Sequence, residues 1–161
     1  MEMQHHASNT NGHSHHYRKL VTMALLSFIA MYILMYAMVN SLSNVFMNVN
    51  QFYMAGLMTS PMVIIEIVVM WPMYSNKKFN TIVLVISAAL LILFYVMIRQ
   101  QTAVGDKQFL RSMIPHHAGA ILMCEEAEIT DPEIKKLCEQ IRVSQQAEID
   151  QMKARLTELS K

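Results

Sequence analysis

Two patterns of apolar residues divide this chain. In the first, residues 20–39 run without a charge, close to the ~20 residues that a bilayer-spanning helix needs. A second apolar run covers residues 54–74, broken by Pro61 and Pro72 and carrying Glu66, and a third covers 81–98 without interruption. Length and absence of charge define these runs, so three transmembrane helices are expected. Beyond residue 98 the pattern changes to apolar positions three and four apart among charged residues, which is the mark of amphipathic helices. Ile134, Leu137, Cys138, Ile141, Ile149, Met152 and Leu156 form one such series.

The second pattern predicts a helical hairpin over residues 105–161. Asp106 is a candidate N-cap for a first helix over 107–128, with Phe109 starting its apolar face. Thr130-Asp-Pro-Glu133 offers two helix starts, a Thr130–Glu133 capping box and an Asp131 cap before Pro132. The second helix then continues to Leu159. So short a turn makes the two helices antiparallel. With the turn near residue 130 and equal rise, facing positions sum to about 261. Cys124 then lies near Cys138, His116 and His117 near Gln145, Met113 near Glu148, and Phe109 near Met152. Phe109, Ile121 and Leu137 are assigned to the core.

The expected fold is therefore all-α: three transmembrane helices followed by an antiparallel helical hairpin. A hairpin alone cannot bury both faces, whereas two of them make a four-helix bundle with core sites between facing helices, so a homodimer or higher homo-oligomer is expected. Composition agrees with the membrane reading: 53% of the 161 residues are hydrophobic and only 16% charged. The net charge of +1 gives no argument for nucleic acid. Residues 1–19 form a polar tail with His5, His6, His13, His15 and His16, expected to lack fixed structure and to capture metal loosely.

Charge placement predicts orientation. Arg18 and Lys19 precede the first span, Lys77 and Lys78 fill the second loop, and the first loop has no charge. Positive flanks stay in the cytoplasm, which leaves the hairpin outside it, periplasmic or extracellular. Arg99, Lys107 and Arg111 behind the third span oppose this assignment.

The candidate chemistry is sulfur and imidazole. In Met113-Ile-Pro-His-His117, one thioether lies three and four residues from two histidines, so a sulfur and an imidazole share a helix face. Imidazole suits copper, zinc, iron or nickel, and thioether selects Cu(I). The expected ion is thus copper, Cu(I) above zinc or another divalent metal. His116, His117 and Met113 form the core of the candidate metal site, with Met123, Glu148 and Met152 beside them. Pro115 frees the carbonyl of Arg111, and Gly119 allows another helix to come close. Cys124 and Cys138 are not a CxxC pair; a disulfide, soft-metal ligands and small core residues all fit them. In the second span, Met54, Met58, Met62, Glu66 and Met70 recur every four residues as one inclined stripe. Methionines alone read as packing, but an acid in mid-membrane points to a cavity, a partner or an ion path.

The motif run Asp106-x-x-Phe109-x-x-x-Met113-Ile-Pro-His-His117-x-x-Ala120-Ile121-x-Met123 resembles domain of unknown function family 305. Asp131-Pro-Glu-Ile134-x-x-Leu137-x-x-x-Ile141-x-x-x-Gln145-x-x-Glu148-Ile149-x-x-Met152 continues the resemblance. It implies a bacterial, extracytoplasmic, ferritin-like half-bundle, with copper bound by some members. Many members repeat the His-His motif, and this chain has one copy. The Glu-x-x-His pairs of a di-iron centre are absent, so no enzymatic activity is expected. The three spans and Met-x-x-x-Met spacing also resemble eukaryotic copper transporters in topology, with no continuous sequence in common.

Three functions follow as expectations. The first is a membrane-anchored protein of a bacterial inner membrane that captures copper outside the cytoplasm for tolerance or delivery. The second is a small oligomeric copper transporter using the Met/Glu stripe. The third is a structural or regulatory membrane protein whose hairpin binds a partner.

Overall fold

The computed structural model describes residues 10–161, with side chains from His16 onward. The described residues are all-helical: α1 Thr10–Leu34, α2 Val49–Val69, α3 Lys77–Gln100, α4 Asp106–Glu126 and α5 Pro132–Glu158, with short 3-10 turns at Met35–Met38 and Leu42–Asn44. Three stretches are long and apolar enough to cross a membrane, His16–Met38, Val49–Val69 and Lys77–Gln100. The polar tail expected to lack structure over 1–19 is helical from Thr10.

The chain forms two compact units. The first comprises the described residues up to Tyr32 with Tyr53–Gln100. A third of the apolar window of α2 is buried, against 6% in the other two spans, so α2 is the inner helix and the others leave their apolar side chains exposed. Gly56 makes this pairing close, because a Cβ there would overlap the ring of Phe94 on α3. Pro61 does not break the helix as expected; it sits inside a continuous α2, as membrane helices tolerate. The helix also runs five residues earlier at both ends than the apolar run 54–74. It starts at Val49 because the Asn48 side chain accepts the Gln51 N–H at 2.9 Å, and it ends at Val69, ahead of Pro72. Where the first unit turns from α2 to α3, Tyr17 donates to Asn80 Oδ1 at 2.6 Å and Asn80 donates to the Tyr74 carbonyl at 3.0 Å. This satisfies a fully buried amide.

The second unit comprises Ile33–Phe52 and Gln101–Lys161. Here α4 and α5 form the antiparallel hairpin around Ile114, Ala118, Ile121, Ile149 and Leu156. Val39 and Phe46, from the connection between α1 and α2, pack on the same core. That uncharged connection covers part of the hairpin core. Its backbone passes over Gly119, where an added Cβ would meet the Met38 carbonyl oxygen at 3.4 Å. Pro115 leaves the Arg111 carbonyl without its helical donor, and Asn48 Nδ2 reaches it at 3.5 Å. The Gln108 side chain accepts the Val49 N–H at 3.1 Å, tying the start of α2 to α4.

Two helix starts differ from expectation. Gly105, not Asp106, is the N-cap of α4, with Asp106 in the first turn, where its charge favours the helix dipole. Of the two starts offered for α5, the Asp131 carboxylate caps, accepting Glu133 N–H at 2.8 Å and Ile134 N–H at 3.0 Å, with Pro132 in the first turn. Phe109 and Leu137 are not core residues: they are 52% and 53% exposed, whereas Ile121 is buried.

Candidate metal site in the helical hairpin

His117 is the buried member of the histidine pair, and its ring is held at both nitrogens. Nδ1 lies 2.9 Å from the Met113 carbonyl one turn back on α4, and Nε2 lies 2.7 Å from Glu148 Oε2 on α5. Residues 113 and 117 share a face because they are four apart, and the same spacing relates Glu148 to Met152 on the facing helix. Antiparallel packing puts Met113 and Met152 at the level next to the His117–Glu148 contact, and both are half-buried. Met152 also packs against the hairpin core.

Each ring nitrogen of His117 faces an acceptor oxygen. The Met113 carbonyl and the Glu148 carboxylate both accept. With Nδ1–H donated to the carbonyl, Nε2 meets a carboxylate oxygen and a proton or a metal ion must stand between them. The anchored Nδ1 is the arrangement that orients a ligating imidazole. One turn before Glu148, Gln145 Oε1 is buried without a hydrogen-bond partner among the described residues. A third acceptor oxygen therefore lies on α5 without a donor.

His117, Glu148 and the two half-buried methionines thus share one band. His116 and Met123 do not join it. His116 is exposed, about 100° round the helix, with its ring centroid 6.0 Å from that of His117. Met123 is 54% exposed on another face. Register also differs from expectation: His117 meets Glu148 rather than Gln145, because side chains on α4 lean towards its N-terminus and meet later positions on α5. Among the described residues, no three His, Cys, Asp or Glu side chains converge on one point.

Sequence reasoning missed Gln145 as an unpartnered acceptor and the asparagines that fix α4. Asn48 reaches Arg111, and Asn50 Nδ2 donates to Ser112 Oγ at 3.3 Å. The available signal was four asparagines at 40, 44, 48 and 50 in a loop with no charge.

Of the stripe in α2, Met54 and Met58 are exposed, Met62 and Glu66 are half-buried, and Met70 lies just past the helix end, packed beside Tyr74. The inclined stripe therefore ends at Glu66. That carboxylate accepts from the Tyr74 hydroxyl at 3.4 Å and borders a cavity of about 220 Å³ with His16, Lys19, Met23 and Met73. Burial, then the Glu66 charge, holds the Tyr74 phenol above its usual range. The side chains of His5, His6, His13 and His15 lie outside the described residues.

Residues 97–156 match the family described as Domain of unknown function (DUF305). An uncharacterized protein of Acanthamoeba polyphaga mimivirus is 34% identical over 142 residues, covering 86% of this chain and 91% of that protein. The chain belongs to the DUF305 family. The match to the viral protein is too long to fit in the hairpin, so it takes in membrane-length helices as well. The expected bacterial source gains no support, since this relative is viral. No solved structure matches.

Proposed function

We propose that this DUF305 protein is membrane-anchored and that its hairpin captures copper outside the cytoplasm, for tolerance or delivery. The observation that carries the reading is the His117–Glu148 contact, an imidazole anchored through Nδ1 with its other nitrogen against a carboxylate and an unpartnered amide oxygen one turn away. Copper would replace the proton between Nε2 and Oε2, at ligand distances of about 2 Å. Met113 and Met152 would add thioethers that favour Cu(I) over zinc. The mechanism is coordination and ligand exchange, with no chemistry on a substrate. Arg18, Lys19, Lys77 and Lys78 support a cytoplasmic N-terminus, and the exposed apolar side chains Phe109, Leu137 and Val143 support association of hairpins into a homodimer or higher oligomer.

The test is Cu(I) and Zn(II) titration of the full chain in detergent against a competing chelator. His117→Ala and Glu148→Ala should each weaken Cu(I) binding at least tenfold, while His116→Ala should leave it near wild type. Unchanged binding in the folded His117→Ala/Glu148→Ala protein would refute the reading and favour a partner-recognition role for the hairpin.

A second reading, transport, rests on Glu66 and its cavity. A carboxylate beside His16, Met23 and Met73 is a plausible mouth for a copper path along Met62, Met58 and Met54. Glu66→Ala should then abolish copper movement into vesicles while leaving binding by the hairpin intact. Normal movement in that variant would exclude it.

A further inference from the structure

The hairpin carries a second group of soft ligands near its turn. Cys124 on α4 and Cys138 on α5 are both half-buried and unoxidised. Both line a cavity of about 200 Å³ together with Lys135, Glu139 and Arg142. Arg142 is held there by Glu139, which accepts from Nε at 3.1 Å and from Nη2 at 2.7 Å. Cys124 lies two turns, about 10 Å, along α4 from His117, so the His117 contact does not use this group.

We propose that Cys124 and Cys138 form a two-thiolate site for a soft monovalent metal ion, Cu(I) or Ag(I). Thiolates select such ions, and a closed-shell monovalent ion is satisfied by two sulfurs in a near-linear arrangement. The absence of a third His, Cys, Asp or Glu at one point among the described residues is compatible with that coordination. The two facing helices each bring one cysteine to the cavity, which gives an ion access from solvent.

The step balances without an oxidant. Two S–H groups and one monovalent cation give a bis-thiolate complex of charge −1 and two released protons. Lys135 and Arg142 at the cavity favour that anionic product. The Cys124 thiol is pushed up to about 11, first by its hydrogen bond with Cys138, then by burial and the charges of Cys138 and Glu125. Both protons must be displaced, so apparent affinity should rise with pH.

The experiment uses the full chain, reduced, in detergent, titrated with Ag(I) against a competing chelator and followed in parallel by thiol alkylation. Wild type should take up Ag(I) with protection of both thiols, reversed by excess chelator. The Cys124→Ser/Cys138→Ser protein should lose one equivalent, and each single variant should bind at least 100-fold more weakly. His117→Ala should keep the equivalent, which separates failure here from failure of the hairpin copper reading. An undiminished stoichiometry in the double variant would overturn the proposal. So would unhindered alkylation of wild type in the presence of Ag(I), a result that does not depend on any variant folding. Protection without metal, reversed only by reductant, would mean a disulfide and would equally overturn it.

Discussion

At the residue scale, chemistry follows from which neighbours a side chain acquires. The Cys124 thiol is held protonated mainly by its bond to Cys138. Removing that bond lowers its pKa and raises the thiolate fraction at any pH below it. Cys138→Ala should therefore speed alkylation of Cys124 at pH 8 severalfold, read by mass spectrometry of the labelled protein; an unchanged rate would contradict the assigned cause. Asn48 is a second case. It is 5% exposed and serves the Phe46 carbonyl, the Arg111 carbonyl and the Gln51 N–H. Asn48→Ala leaves those groups unpaired and should cost roughly 1–3 kcal/mol in unfolding measurements on the detergent-solubilised chain. The corresponding effect of Asn40→Ala should be smaller, since the Asn40 side chain receives only a bond from Asn44.

At the element scale, close approach decides which helices pair. Gly56 lets α2 meet the Phe94 ring of α3, leaving no room for a Cβ. Gly56→Ala should destabilise this pairing by about 1–3 kcal/mol, and Phe94→Leu in the same background should recover part of the loss, read as melting temperature. A melting temperature equal to wild type in Gly56→Ala would show that α2 and α3 have room to shift. Helix termini show how local rules compete. Two caps were on offer for α5, and the short Asp131 carboxylate reached two N–H groups ahead of Thr130 because Pro132 fixes the first turn. For α2, apolar character marked residues 54–74, yet Asn48 carried the helix start back into a polar loop.

At the scale of the whole molecule, the hairpin is completed by the chain's own loop. Val39 and Phe46 cover the core around Ile114 and Ala118. A segment 105–161 expressed alone would expose that face and should self-associate in sedimentation experiments. A folded monomer would show that the loop contributes little.

Sequence pattern alone accounts for the three membrane-length helices, the packing of α4 on α5 and the placing of Cys124 and Cys138 at one cavity. These depend on charge-free length, on three- and four-residue spacing and on short-range geometry near a turn, all local properties. It also named the band containing Met113, His117, Glu148 and Met152, because i,i+4 positions share a face on any helix. Only tertiary structure chose His117 over His116, moved its partner from Gln145 to Glu148, and left Phe109 and Leu137 outside the core. Those choices depend on helix phase, on the lean of side chains and on which distant segment covers a face. The covering segment here is the α1–α2 connection, whose sequence carries almost no apolar periodicity. Its Asn48 finds a partner on α4, the Arg111 carbonyl, only because Pro115 has freed it.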